Sequence, residues 1–408
     1  MNRNIKLSSI LLGIMLLPIV MYGQINTKQE INLPSDLRIN QIQVLGTHNS
    51  YAEPVDLNLL DYVSKIVDQS KGKLLEGMSK EQLDFFKEYH PNEISFKESL
   101  FYEHPSFEIQ LDSGLRSLEL DVYYDSTGNR YTKPAGYEYL KSIGTKKLAK
   151  HNTTDLDKPG FKVLHMADVD FRSKYPTLKL ALQSIKKWSD QHVDHIPLFI
   201  MIEAKDSNWP LFKNPTEVLK YDEYAFDLLD QEIVDIIGRE KLITPDDLRG
   251  NYKTLKEAVA NHNWPLVSQS KGKLLFMLLP STGGVNQGES AYVHNRPNLE
   301  GRVMFVQSKP TDTYGVFLLL DNAIVRQEDI KEYVTKGYLV RTRSDIDTYE
   351  AKVNDHTRAK AAFSSGAQVI STDFFSRDYN PYQSGYFVEL PDNHKQVRIN
   401  PVNYKKSN

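Results

Sequence analysis

Residues 114–125 read GLRSLELDVYYD, with Leu, Val and Tyr alternating with polar side chains, the pattern of a β-strand. Glu119 and Asp121 sit two apart in it, and side chains at i and i+2 of a strand share a face. Two carboxylates side by side on one face repel each other unless a cation or a proton lies between them. Taken alone, the strand reads more simply as a solvated acidic edge. The fold follows from what stands on either side of it.

Upstream, residues 41–46 (QIQVLG) alternate as a strand and run into Thr47, His48 and Asn49. Downstream, short apolar runs begin at Phe161, Pro197, Lys273, Arg302, Tyr338 and Gln368. Residues 178–190, 221–237 and 349–365 carry the apolar spacing of helices between them. Eight strands mostly separated by helices predict an α/β fold, a (β/α)8 TIM-type barrel in regular or distorted form, over residues 40–375. Residues 52–107 form a helical insertion after the first strand, with helices over 57–70, 80–88 and 94–102, and residues 376–408 a C-terminal extension packed on the barrel. An open doubly wound sheet is the alternative, but no Gly-rich phosphate loop follows any strand.

The 408-residue chain has a net charge of −3 and no cysteine. So balanced a charge, without a long basic run, excludes nucleic acid as a partner. Residues 1–24 read as a signal peptide: Arg3 and Lys6, an apolar stretch over 11–21, and Gly23 before the cut. Pro18 and the shortness of the apolar stretch argue against a membrane anchor, and no other stretch is long enough to span a bilayer. A secreted or periplasmic monomer is expected, without a transmembrane segment in the mature chain and with a polar linker over residues 25–39.

In a barrel of this kind functional groups stand at the C-terminal ends of the strands. Those ends supply His48 and Asn49, Glu119 and Asp121, His165, Glu203 and Lys205, Arg341 and Arg343, and Asp373. Asn49, Glu119, Asp121 and Glu203 are all oxygen donors, a set suited to a hard divalent cation such as Ca2+; zinc would recruit more imidazole or thiolate. His48 and His165 then stand beside the ion, where two imidazoles can stabilise a phosphate's charge and protonate a leaving alkoxide. The reaction class is phosphodiester cleavage. Each piece has a plainer reading: a histidine at a strand end is more often packed or at the surface, Glu203 to Asp206 is a charged turn, and Arg341 and Arg343 pair with Asp345 or Asp347. The pieces gain force only together. His192 and His195 precede the strand at Pro197, at the opposite mouth, and are read as structural.

The motifs GTHNSY around His48 and Asn49, LELD around Glu119 and Asp121, LH at His165 and IE at Glu203 resemble, in that order, the catalytic barrels of phosphatidylinositol-specific phospholipases C. With VRTR at 340–343 and STD at 371–373, the chain is most similar to the secreted bacterial calcium-dependent group, over about residues 40–403. The resemblance implies Ca2+ on Asn49, Glu119, Asp121 and Glu203, with His48 stabilising charge at phosphorus. It implies His165 as proton donor to the leaving diacylglycerol, and Glu119 or Glu203 as base on the inositol 2-hydroxyl, giving a cyclic inositol phosphate that water then opens. Lys205 and one of Arg341 or Arg343 would hold the phosphate or inositol hydroxyls of an inositol phospholipid at a membrane surface. Two other functions fit a barrel: glycerophosphodiester phosphodiesterase, expected to carry His-Arg-Gly where this chain has His48-Asn49-Ser50, and a non-catalytic barrel that binds lipid head groups.

Overall fold

The computed structural model describes residues 33–279 and 291–405; the expected signal peptide lies outside the described residues. The chain forms a compact unit over Ser35–Asn408. The linker expected over residues 25–39 ends sooner than that. Leu37 and Ile39 are fully buried, and Arg38 between them bridges antiparallel to Leu266, so alternation already builds core here.

The strands are β1 (Ile42–Thr47), β2 (Ser117–Asp125), β3 (Gly160–Val163), β4 (Leu198–Lys205), β5 (Leu242–Ile243), β6 (Leu274–Leu279), β7 (Met304–Val306), β8 (Phe317–Asn322), β9 (Leu339–Arg343), β10 (Val369–Thr372) and β11 (Arg398–Ile399). A parallel ladder runs β7-β6-β4-β2-β1-β10-β9-β8. β7 and β8 meet through one parallel bridge, Gln307 opposite Phe317. The result is a distorted TIM-type barrel, not fully closed at that seam. β4 and β6 (LFIMIEAK and LLFMLL) are almost wholly buried, as parallel strands covered on both faces must be.

Two strand expectations change, and they cancel in the count. The run at Phe161 is β3, which pairs antiparallel with β2 from Val122 opposite Val163 to Asp125 opposite Gly160, so it is a hairpin partner and not a barrel strand. The strand in its place is β8, missed because residues 307–316 join it to β7 without the helix that the alternation leads one to expect.

The helices follow their caps. Thr177 accepts from Leu180 N to start Leu178–Gln191, and Asp222 accepts from Ala225 N to start Glu223–Ile237. The single helix expected over 349–365 is two, Tyr349–Val353 and Thr357–Ser365, because Asn354 between them takes a left-handed φ of 57°. In the insertion, α1 (Leu57–Glu76) is capped by Asp56 and buries Leu59, Leu60 and Val63 in its first half. α2 (Lys80–Tyr89) buries no side chain. It is tied to the end of β8 and the segment after it by Glu88, which accepts from Asn322 Nδ2 at its carbonyl and pairs with Arg326 through two contacts of 2.7 Å. In the C-terminal extension Tyr386, Val388 and Leu390 join a core cluster with Leu45, Ile370 and Phe374. Among the described residues no helix is long and apolar enough to cross a membrane.

Candidate active site and metal centre

β1 ends in a turn that is braced against β2. Thr47 donates to Gln110 Oε1 at 2.6 Å, and Asn49 takes a left-handed φ of 45°. Ser50 N donates to the Glu119 carbonyl at 3.0 Å, and Glu119 N donates to Ser50 Oγ at 2.8 Å. His48 and Asn49 are therefore held beside the backbone of Glu119. β1 and β2 can approach this closely because Gly46 faces Ser117: a Cβ on Gly46 would lie 2.4 Å from the Ser117 Cβ and carbonyl oxygen.

The parallel register of β2 and β4 sets Asp121 opposite Glu203. Glu119, Asp121 and Glu203 each offer a carboxylate oxygen within 4.8 Å of the other two. Glu119 and Asp121 are buried, and Glu203 is half-buried. Burial pushes the Glu119 carboxyl up to about 7 although the Arg341 guanidinium pulls it down. Burial, offset by Lys205, raises Glu203 as well. Asp121 Oδ1 is buried without a hydrogen-bond partner, and Oδ2 has only an ion-pair contact, 3.0 Å from Lys205 Nζ. Three converging carboxylates, one with an unsatisfied buried oxygen, fit a hard divalent cation. Asn49 Nδ2 is fixed on the Tyr102 hydroxyl at 2.7 Å, so its carbonyl oxygen points elsewhere; the Tyr51 hydroxyl reaches that oxygen only at 3.5 Å.

Two imidazoles border this triad, each held at Nδ1 by a carboxylate. His48 Nδ1 is 3.0 Å from Asp373 Oδ1, and Asp373 Oδ2 accepts from Arg343 Nη2 at 2.9 Å. With Nδ1–H donating to Asp373, Nε2 carries the open lone pair. Burial, then the charges of Arg343 and Arg341, drive the His48 pKa well below its usual value. His165 Nδ1 is 2.8 Å from Asp170 Oδ2. Burial pulls its pKa down, but the Asp170 bond and charge outweigh it, and the net shift is upward. The two histidines feel each other's charge. His165 does not end a barrel strand as expected. The β2–β3 hairpin carries it in, with Leu164 N on the Asp121 carbonyl at 3.2 Å and the Tyr123 hydroxyl on the His165 carbonyl at 2.9 Å.

The three cations expected to hold substrate are each paired inside the mouth. Lys205 Nζ lies 3.0 Å from both Asp121 and Glu203. Arg341 donates to Glu119 Oε2 at 2.7 Å and to Ser371 Oγ at 3.1 Å, and pairs with Asp321. Arg343 pairs with Asp373, not with Asp345 or Asp347. At the opposite end both ring nitrogens of His195 are engaged, by Ser189 Oγ at 2.8 Å and the Ile196 carbonyl at 2.7 Å. Sequence reasoning gave no role to Asp170 and Asp373 as imidazole partners, nor to Asp321. Asp373 stood at a strand end and Asp170 close after His165, so both were in view. Asp321 was hidden with β8, although VFLLLDN is itself an apolar run ending in an acid.

Two solved structures of a calcium-dependent phosphoinositol-specific phospholipase C from a Gram-negative Pseudomonas species share the fold. The apo form with myoinositol has a TM-score of 0.50 at 15% identity, covering 90% of this chain and 96% of that one. A second crystal form of the apo protein has a TM-score of 0.51 at 15% identity, covering 90% and 97%. Among curated protein sequences none matches this chain. The family model described as Phosphoinositide phospholipase C, Ca2+-dependent matches residues 37–401. That span holds every residue of the triad and both histidines, and the family's activity is cleavage of phosphatidylinositol with Ca2+. The chain belongs to the Ca2+-dependent phosphoinositide phospholipase C family.

Proposed function

We propose that the mouth of the barrel cleaves the head-group phosphodiester of phosphatidylinositol at a membrane surface, with the inositol 2-hydroxyl as nucleophile. The observation that carries this is the pair of imidazoles, each held at Nδ1 by a carboxylate and shifted in opposite directions by its surroundings, beside an acidic triad. Environments that push two titratable groups apart assign a base and an acid. His48 Nε2 takes the proton of the 2-hydroxyl as its oxygen bonds to phosphorus. The bond from phosphorus to the diacylglycerol oxygen breaks, and His165 Nε2–H protonates that oxygen. The products are diacylglycerol and a cyclic inositol phosphate, which water opens when the two rings exchange roles. Bound Ca2+ supplies charge stabilisation and lowers the hydroxyl's pKa. Glu119, Asp121, Glu203 and the Asn49 carbonyl would hold it.

The expected base on the hydroxyl was Glu119 or Glu203, with His48 stabilising charge. With Nδ1–H on Asp373, His48 Nε2 is the accepting nitrogen, while Glu119 Oε2 is occupied by Arg341 and Glu203 Oε1 lies 3.0 Å from Lys205 Nζ, so His48 is preferred as base. The protein acts as an exported monomer. A mass for the mature chain that starts after residue 24, and a monomer mass in light scattering, are the expected readings.

The test is release of water-soluble inositol phosphate from phosphatidylinositol vesicles. Release should need Ca2+, stop with a chelator, and fall about 10²–10⁴-fold in His48→Ala. Release that survives the chelator would remove the triad from the chemistry.

A further inference from the structure

Lys205 differs from the other cations of the mouth in where its partners lie. Arg343 pairs with Asp373, outside the triad. Arg341 reaches Glu119 but is also anchored by Asp321 and Ser371. Both ion-pair partners of Lys205 among the described residues are triad members, Asp121 and Glu203, each 3.0 Å from Nζ. The register explains this: Lys205 follows Glu203 by two residues on β4, on the same face, and its neighbour across the ladder is Tyr123, which brings no charge of its own to pair with. Lys205 is 4% exposed, so water has little access to its ammonium. A divalent cation entering the triad needs the two carboxylates that this ammonium already holds.

We propose that Lys205 is a tethered counter-cation that competes with Ca2+ for Asp121 and Glu203. It neutralises the two acids in the metal-free protein, swings away on its flexible stem when the ion enters, and so sets the Ca2+ affinity. This rests on the reading of the triad as the Ca2+ site. The affinity of oxygen-ligand Ca2+ sites follows their ligand charge, and a built-in positive charge moves this one toward the weak end, about 10⁻⁴–10⁻³ M. The same ammonium keeps three closely packed carboxylates tolerable when no ion is bound, since unpaired buried charge is costly.

The experiment is calorimetric Ca2+ titration of the full chain, with thermal unfolding in chelator and in Ca2+. Lys205→Met should bind Ca2+ about tenfold more tightly than the wild type. It should melt lower in chelator and gain more from Ca2+, because the ion then supplies all of the neutralisation. Lys205→Gln, nearer in length and polarity, carries the same expectation if the Met variant folds poorly, and Lys205→Arg should stay near the wild type. Equal or weaker Ca2+ binding in the neutral variants overturns the proposal while leaving the Ca2+ site in place. Absence of binding in the wild type and in every variant overturns the site and the proposal together.

Discussion

At the residue scale, the titrating groups of the mouth limit the working range from both sides. The carboxylates that hold Ca2+ and the base must all be unprotonated, so at limiting Ca2+ activity falls as pH drops first through the pKa of Glu119, pushed up to about 7 by burial, and then through the lowered pKa of His48. An acid must be protonated, so activity falls as pH rises through the His165 pKa, which lies above 6.5. In Asp170→Asn the charge that holds His165 up is lost while an amide oxygen is left to accept from Nδ1–H, and burial then meets less opposition. The alkaline limb of the pH–rate profile should move to lower pH and kcat should fall about 10²-fold, with KM nearly unchanged because Asp170 acts through His165. An alkaline limb that stays where it was in this variant would remove His165 from the acid role. Both histidines could be picked out from the sequence by their place after short strands. Their carboxylate partners could not be assigned, since Asp373 is 325 residues from His48 and only folding makes them neighbours.

At the element scale, the site depends on how close β1 comes to β2. Their ladder has one registered pair, Gly46 opposite Ser117, and beyond it the Thr47–Ser50 turn grips Glu119. Gly46→Ala drives a methyl into the backbone of Ser117, which has no flexible end that can yield. The expected cost is about 1–3 kcal/mol of stability, read as a lower melting temperature, with Ca2+ affinity reduced as Glu119 is displaced. An unchanged melting temperature would mean that the strands part here without loss. Glycine at 46 is plain in the sequence, but its reason is not, because the contact is made by a strand some seventy residues on, across the whole insertion. Helix starts were more legible: Thr177 and Asp222 cap locally, and a cap is a short-range interaction.

At the scale of the whole molecule, the barrel has a weak seam. β2 and β4 share seven registered pairs, from Ser117 opposite Phe199 to Tyr123 opposite Lys205, whereas β7 and β8 share a single bridge. Native-state hydrogen exchange should therefore show amides of Met304–Val306 and Phe317–Asn322 exchanging well before those of β2 and β4. Uniform protection around the ring would contradict an open seam. The sequence by itself determined the barrel class, the order of the histidines and acids along it, and Glu119 and Asp121 on one face, because apolar period and strand alternation are local properties. It counted eight strands by taking β3 for a barrel strand and passing over β8, since a hydrophobic run does not say whether its neighbour will be parallel or antiparallel. Only the tertiary structure decided how the charges pair. Lys205, Arg341 and Arg343 turned inward to the acids because, once buried, each cation must meet a carboxylate, and which carboxylate is set by the register of strands far apart in the chain.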